Sequence, residues 1–119
     1  MSQYVDGFLL PVPTKNLATY RKMARLACKV WREHGALDYR ECVGDDLKVE
    51  KMAQFPKVAR AKEGETVVFA WITYKSKAHR NKVNAKAMKD PRLVKLMQTA
   101  EMPFDGKRMA YGGFKTIVQ

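Results

Sequence analysis

ETVVFAWITY, residues 65–74, is apolar or aromatic at nearly every position, and the fold turns on how it is read. A half-buried strand alternates polar with apolar side chains. This stretch instead offers apolar groups to both sides, which places it at the centre of a sheet. QYVDGFLLP, residues 3–11, behaves alike, with Tyr4, Asp6, Phe8 and Leu10 on one face, Val5, Gly7 and Leu9 on the other, and the pair Pro11/Pro13 as its boundary.

Between these strands, Pro13 and Thr14 open a segment of helical period. Leu17, Tyr20, Ala24, Ala27, Cys28, Trp31 and His34 form one stripe flanked by Met23 and Val30, with Thr14 as N-cap and Gly35 just past the end. Residues 37–43 alternate Leu37, Tyr39, Glu41 and Val43 with Asp38, Arg40 and Cys42, a strand charged enough to lie near an edge. Residues 44–64 carry no sustained period beyond a short helical turn before Pro56. Beyond residue 74, Ser76 caps a helix over 77–88 with a poor apolar stripe, and Asp90 with Pro91 starts another to about residue 98. A last strand over 109–118 contains Gly112 and Gly113, the mark of a bulge or a close backbone approach.

Strand, helix, strand, strand, helix, strand is the order of the ferredoxin-like βαββαβ arrangement, an α+β fold with a four-stranded antiparallel sheet. In that topology strands one and three are central. Helices cover one face only, so the other face, expected to carry Tyr4, Phe8, Leu10 or their counterparts on strand three, meets water unless a second copy covers it. A homodimer packed sheet to sheet follows. At roughly 25 cal/mol per Å², a few hundred Å² per subunit is worth several kcal/mol before association costs.

The chain has 119 residues, which fits one domain over 1–119. The longest apolar run is Val67 to Ile72, far short of a bilayer span, and no basic segment followed by an apolar one marks the N-terminus, so a cytoplasmic protein is expected. Cys28 and Cys42 lack metal-site spacing and read as small buried hydrophobes. No P-loop, GxGxxG, HExxH or GxSxG motif occurs, so nucleotide hydrolysis, dehydrogenase and zinc protease classes are unsupported; neither cofactor nor metal is expected. The net charge of +11 favours polyanions or acidic surfaces.

YVDGF at 4–8, WREHGAL at 31–37, VVFAWITYKSKAHR at 67–80, AMKDPR at 87–92 and MPFDGKRMAYGGF at 102–114 resemble the uncharacterised YbaA-like family of bacterial proteins. The resemblance spans nearly the whole chain. It implies a dimeric α/β-barrel of the ferredoxin-like type and brings no activity with it. Relatives by fold include monooxygenases, haem-degrading enzymes and small-ligand regulators, which is a menu of functions only.

Asp6, a carboxylate in the middle of a central strand, is the leading candidate for chemistry, because a buried charge needs a partner. Lys107, Arg108, Tyr111, His79 and His34 are the partners considered. Asp6 is then either held by backbone amides or an arginine, or acts as a pocket acid or base. His79, in the first turn of the second helix, is the second candidate for proton transfer, against a role as a hydrogen-bonded surface histidine; His34 reads as a C-terminal cap. Trp71 and Tyr111 are expected as pocket walls, with Tyr4, Glu41 and Lys107 as further ligand contacts. The resulting expectation is a small organic molecule held between sheet and helices. A nucleic-acid or polyanion module is the alternative, built on Arg21, Arg25, Lys29 and Arg32 along the first helix and on Arg80 in the basic second helix, although no RNP, KH or helix-turn-helix signature accompanies them. An interaction module that binds an acidic protein is a third reading.

Overall fold

The computed structural model describes residues 2–99 and 101–119. Four strands, β1 (Tyr4–Pro13), β2 (Asp38–Val43), β3 (Glu65–Tyr74) and β4 (Ala110–Lys115), form one antiparallel sheet in the order β2-β3-β1-β4. β1 and β3 are the central pair, as their two-sided apolar patterns require. β1 runs through both prolines. β4 pairs only as far as Leu9, so Pro11 and Pro13 lie where one side of β1 has no ladder to break.

Four helices accompany the sheet: α1 (Leu17–Glu33), α2 (Phe55–Val58), α3 (Lys77–Met88) and α4 (Pro91–Thr99). Thr14 does not cap α1. Residues Thr14–Asn16 form a 3-10 turn, the Thr14 amide donates to the Gly64 carbonyl, and the Asn16 side chain donates to the Pro103 carbonyl instead of capping. At the other end, His34 closes α1 and Gly35 follows with a φ of 119°, a conformation that favours glycine. The His34 Nε2 lies 2.8 Å from Asp90 Oδ2, and Asp90 caps α4 and is gripped by Arg92, so the end of α1 is tied to the start of α4. Ser76 caps α3 as read, accepting from the His79 amide at 3.1 Å.

Alternation along β1 assigns the faces. Tyr4, Asp6, Phe8, Leu10 and Val12 point towards α1 and α3, joined by Val68, Ala70, Ile72 and Tyr74 of β3, and this side holds the core. The expectation that Tyr4, Phe8 and Leu10 occupy the uncovered face is therefore corrected. That face carries Val5, Gly7 and Leu9 with Phe69, Trp71 and, from β4, Phe114. Because both faces of β1 are apolar, alternation alone could not say which one the helices cover. Phe69 is 46% exposed and Phe114 62%. α2, inside the stretch without a period, reaches the same face, with Phe55 and Phe69 ring centroids 6.2 Å apart.

β4 is shorter than expected and keeps a regular register, with Gly7 opposite Gly112 and Asp6 opposite Gly113, so there is no bulge. The glycines serve close approach instead: a Cβ on Gly113 would overlap the Tyr4 hydroxyl and lie 2.7 Å from its Cε2. Cys42 is exposed and Cys28 half-buried, which corrects the reading of both as buried. Cys42 alternates onto the uncovered face of an edge strand, where nothing packs over it.

Candidate functional site

Between the sheet and α1, α3 and α4 lies a cavity of about 540 Å³. Its walls are apolar and adaptable: five of the chain's seven methionines, Met23, Met88, Met97, Met102 and Met109, line it. Polar groups enter at two places, one on the central strand β1 and one on the edge strand β2.

The first is Asp6. Its residue is 1% exposed, and its Oδ1 lies 3.4 Å from Arg80 Nη1 but has no hydrogen bond among the described residues. Arg80 comes from the first turn of α3. Its Nη1 donates to the Tyr111 hydroxyl at 2.9 Å, its Nη2 to the Tyr4 hydroxyl at 3.4 Å, and its guanidinium sits 5.0 Å from the centroid of the Tyr4 ring. The Tyr111 ring stacks on Phe8 with centroids 5.0 Å apart. Burial and the Asp6 charge push the Tyr111 phenol up, so it carries its proton at neutral pH. Beside it, the Tyr74 hydroxyl and the Trp31 indole both donate to Asn84 Oδ1, at 3.0 and 2.9 Å. Burial raises the Tyr74 phenol as well, with Asp6 adding to it.

The second polar entry is Glu41 on β2. Tyr20 donates to one of its oxygens at 2.6 Å and Tyr39 to the other at 2.8 Å. Burial first, then the Glu41 charge, drives both phenols far above their ordinary range, so they remain donors. A carboxylate held this way is a structural clamp between α1 and β2 that shows an already satisfied edge to the cavity.

The sequence-derived candidates divide accordingly. Asp6, Glu41 and Tyr111 line the cavity; Tyr4 does not, and its hydroxyl accepts from the Arg80 that pairs with Asp6. Trp71 does not. It faces the other side of the sheet, 5.7 Å from Phe69, because its place on β3 is odd relative to Ala70 and Ile72. Lys107 is exposed in the 3-10 turn Gly106–Arg108 and is not a cavity residue. His79 is also outside the cavity. Its Nδ1 accepts the Lys75 amide at 3.0 Å, its ring meets Tyr74 edge-on, and burial with Lys75, Lys82 and Lys86 nearby lowers its affinity for a proton. It is a neutral capping group.

Arg80 was expected on a basic surface with Arg21, Arg25, Lys29 and Arg32. Those four are exposed along α1, whereas the Arg80 side chain is 16% exposed and turned towards the sheet. The signal was present in α3: Arg80, Val83, Asn84 and Ala87 follow the i, i+3, i+4, i+7 spacing of an inward face, with a charge at its head. Among the described residues no three His, Cys, Asp or Glu side chains gather as a metal-binding group.

Fold and site together define a ferredoxin-like α+β protein with an apolar cavity beneath its sheet and a buried carboxylate in the wall. The backbone is similar, with a TM-score of 0.59, to a dimeric ferredoxin-like protein from an uncultured marine organism, at 12% identity over 100% of this chain and 99% of that one; this is a likeness of fold alone. Over residues 3–106 the sequence matches the family described as Protein of unknown function (DUF1428), and the chain belongs to that family. It is 45% identical over 116 residues to Uncharacterized protein YbaA of Escherichia coli (strain K12), covering 98% of this chain and 97% of that protein, and the Shigella flexneri protein of the same name gives the same figures.

Proposed function

We propose that the chain is a homodimer that binds a small, mostly apolar organic molecule in the cavity of each subunit, with Asp6 receiving the ligand's hydroxyl or N–H donor. The observation that carries this reading is Asp6 Oδ1, almost fully buried in the wall of a cavity of about 540 Å³, ion-paired to Arg80 at 3.4 Å yet without a hydrogen bond among the described residues. A buried carboxylate oxygen without a donor is costly unless something supplies one. The volume lies within the usual range for small-molecule sites, and the methionine walls suit a ligand with a flat or branched body.

The homodimer is supported by the uncovered face, where Val5, Leu9, Phe69, Trp71 and Phe114 surround a shallow apolar trough, and by the dimeric state printed for the fold relative. No helix among the described residues is long and apolar enough to cross a membrane.

A thermal-shift screen of uncharged, mostly apolar compounds bearing one hydroxyl or N–H group tests the cavity reading. Saturating ligand at about 100 times its Kd stabilises the folded state by about 2.7 kcal/mol. Hits that stabilise the native chain and lose their effect in Asp6→Asn and in a cavity-filling Ala27→Trp support it. A screen without hits, or hits indifferent to both variants, refutes it.

One observation favours a second reading. Arg21, Arg25, Lys29 and Arg32 are exposed on one side of α1 and, among the described residues, none has an acidic partner within ion-pair distance. Such a stripe attracts a polyanion, with affinity that falls steeply between roughly 50 and 200 mM salt. Fluorescence anisotropy with single-stranded RNA at those two concentrations decides it, and absence of binding at the lower one removes it.

A further inference from the structure

We infer that the Asp6 end of the cavity is a proton-transfer site for enolisable carbonyl compounds, with Asp6 as the base and the Tyr111 hydroxyl as the donor to the carbonyl oxygen. This rests on the cavity reading above and extends it from binding to chemistry.

The geometry points there because the two oxygens flank one nitrogen. Arg80 Nη1 lies 3.4 Å from Asp6 Oδ1 and 2.9 Å from the Tyr111 hydroxyl, so a base and an acid are presented side by side from neighbouring strands. Both side chains line the cavity. Tyr111 accepts from Arg80, which makes the hydroxyl a better donor, and its own proton faces Asp6 until a carbonyl oxygen draws it away. Asp6 Oδ1 has the 3.4 Å ion pair with Arg80 but no hydrogen bond among the described residues, so a lone pair remains to take a proton. The apolar walls strengthen the interactions of the buried Asp6, whereas Tyr111 keeps one side open to water.

The step balances without a co-reactant. Asp6 removes a proton from the carbon next to the carbonyl. The C–H electron pair becomes the carbon–carbon double bond of the enolate, and the carbonyl π pair moves to the oxygen, where Tyr111 donates its hydrogen bond. Asp6, now protonated, trades that proton with solvent and returns a solvent hydron to the same carbon, which is exchange, or passes its proton to the γ carbon of a β,γ-unsaturated ketone, which is isomerisation. Either return restores the carboxylate. Arg80 acts as a positioning residue, holding the two oxygens beside its Nη1 while its Nη2 is anchored on the Tyr4 hydroxyl.

The test uses three ketones, phenylacetone, β-tetralone and 3-cyclohexen-1-one. Binding is read by saturation-transfer NMR, and chemistry by deuterium wash-in from D2O, together with the rise of conjugated-enone absorbance for 3-cyclohexen-1-one. The expected result is wash-in or isomerisation well above the buffer rate for at least one of them. Asp6→Asn binds that ketone but slows the reaction by roughly 100-fold or more, the range for loss of a general base. Tyr111→Phe, at a half-exposed position that tolerates the change, slows it by at least about tenfold, as loss of an oxyanion donor does. Arg80→Lys keeps the charge without the fork, and lowers the rate at saturating ketone more than it changes the half-saturating concentration.

Ketones that bind and react only at the buffer rate overturn the inference and leave the cavity reading standing. Ketones that do not bind, while the wider screen yields an Asp6-dependent ligand, remove the carbonyl class; failure of both removes the cavity reading too. Should Asp6→Asn not fold, an unchanged rate in Tyr111→Phe overturns the proposal by itself.

Discussion

The Asp6–Arg80 pair is the most buried ion pair among the described residues, and a double-mutant cycle measures it. The perturbations are Asp6→Asn, Arg80→Met and the two combined. At 3.4 Å and an effective dielectric of about 20, two unit charges attract by about 5 kcal/mol before desolvation is counted. Desolvation of the nearly inaccessible carboxylate and the water that still reaches Arg80 consume part of that. Removing Arg80 alone leaves a buried charge uncompensated and is expected to cost about 3–4 kcal/mol, while Asp6→Asn costs about 2 kcal/mol. The double variant should lose about 3 kcal/mol, a coupling of roughly 2–3 kcal/mol. Urea unfolding followed by far-UV circular dichroism reads these differences, with every chain at one protomer concentration because association shifts apparent stability. The cycle is repeated in 1 M salt. A buried pair keeps its coupling there, whereas an exposed one is screened. Single effects that add to within about 0.5 kcal/mol, or coupling that vanishes in 1 M salt, would refute the buried-pair reasoning.

Hydrogen bonds from Arg108, then the Lys62 amide, hold the Glu65 carboxyl down at about 2, below its ordinary 4.5. A depressed carboxylate stabilises the fold fully above its unfolded value and loses that contribution as pH falls through the folded one, so the loss runs from about 4.5 to about 2; Arg108→Ala should flatten that limb of an acid-unfolding curve, and an unchanged limb would contradict the pairing. Gly113→Ala drives a methyl into the Tyr4 ring and is expected to cost about 1–3 kcal/mol by overpacking, partly recovered when Tyr4→Ala is added; an unshifted urea midpoint would deny the close approach. Trp71→Glu places a charge on the uncovered face and should convert a dimer to a monomer in light scattering at micromolar concentration, and a native chain already monomeric there would end the dimer proposal.

The strand order was legible because it follows from composition: only β1 and β3 are apolar on both sides, and only the two central strands of this topology need to be. That same property hid the faces. Val5, Gly7 and Leu9 are as apolar as Tyr4, Phe8 and Leu10, so the alternation had two acceptable frames, and the wrong one put Trp71 beside Asp6. Asp6 itself was found from sequence, since a carboxylate in a central strand is rare enough to demand a reason. Its partner was missed because arginines and lysines crowd α3, and Arg80 is marked out only by its period with Val83, Asn84 and Ala87. The cavity was beyond reach for a different reason. Its methionines come from α1, α3, α4 and the segment before β4, and nothing local announces that they converge.

The two faces are not independent, because β4 belongs to both. Phe8 and Tyr111 line the cavity and also border the apolar trough that holds Val5 and Phe114. β4 is an edge strand of six residues, paired to β1 alone and exposed along most of its length. A strand so placed is the part of the sheet that opens most readily. Packing a second sheet over Phe114 and Trp71 would hold β4 against β1, and with it the Tyr111 hydroxyl against Arg80. The oligomeric state and the competence of the Asp6 end of the cavity are therefore linked by the same short strand, and Trp71→Glu, a change on the face away from the cavity, is expected to weaken ligand binding as well as the dimer.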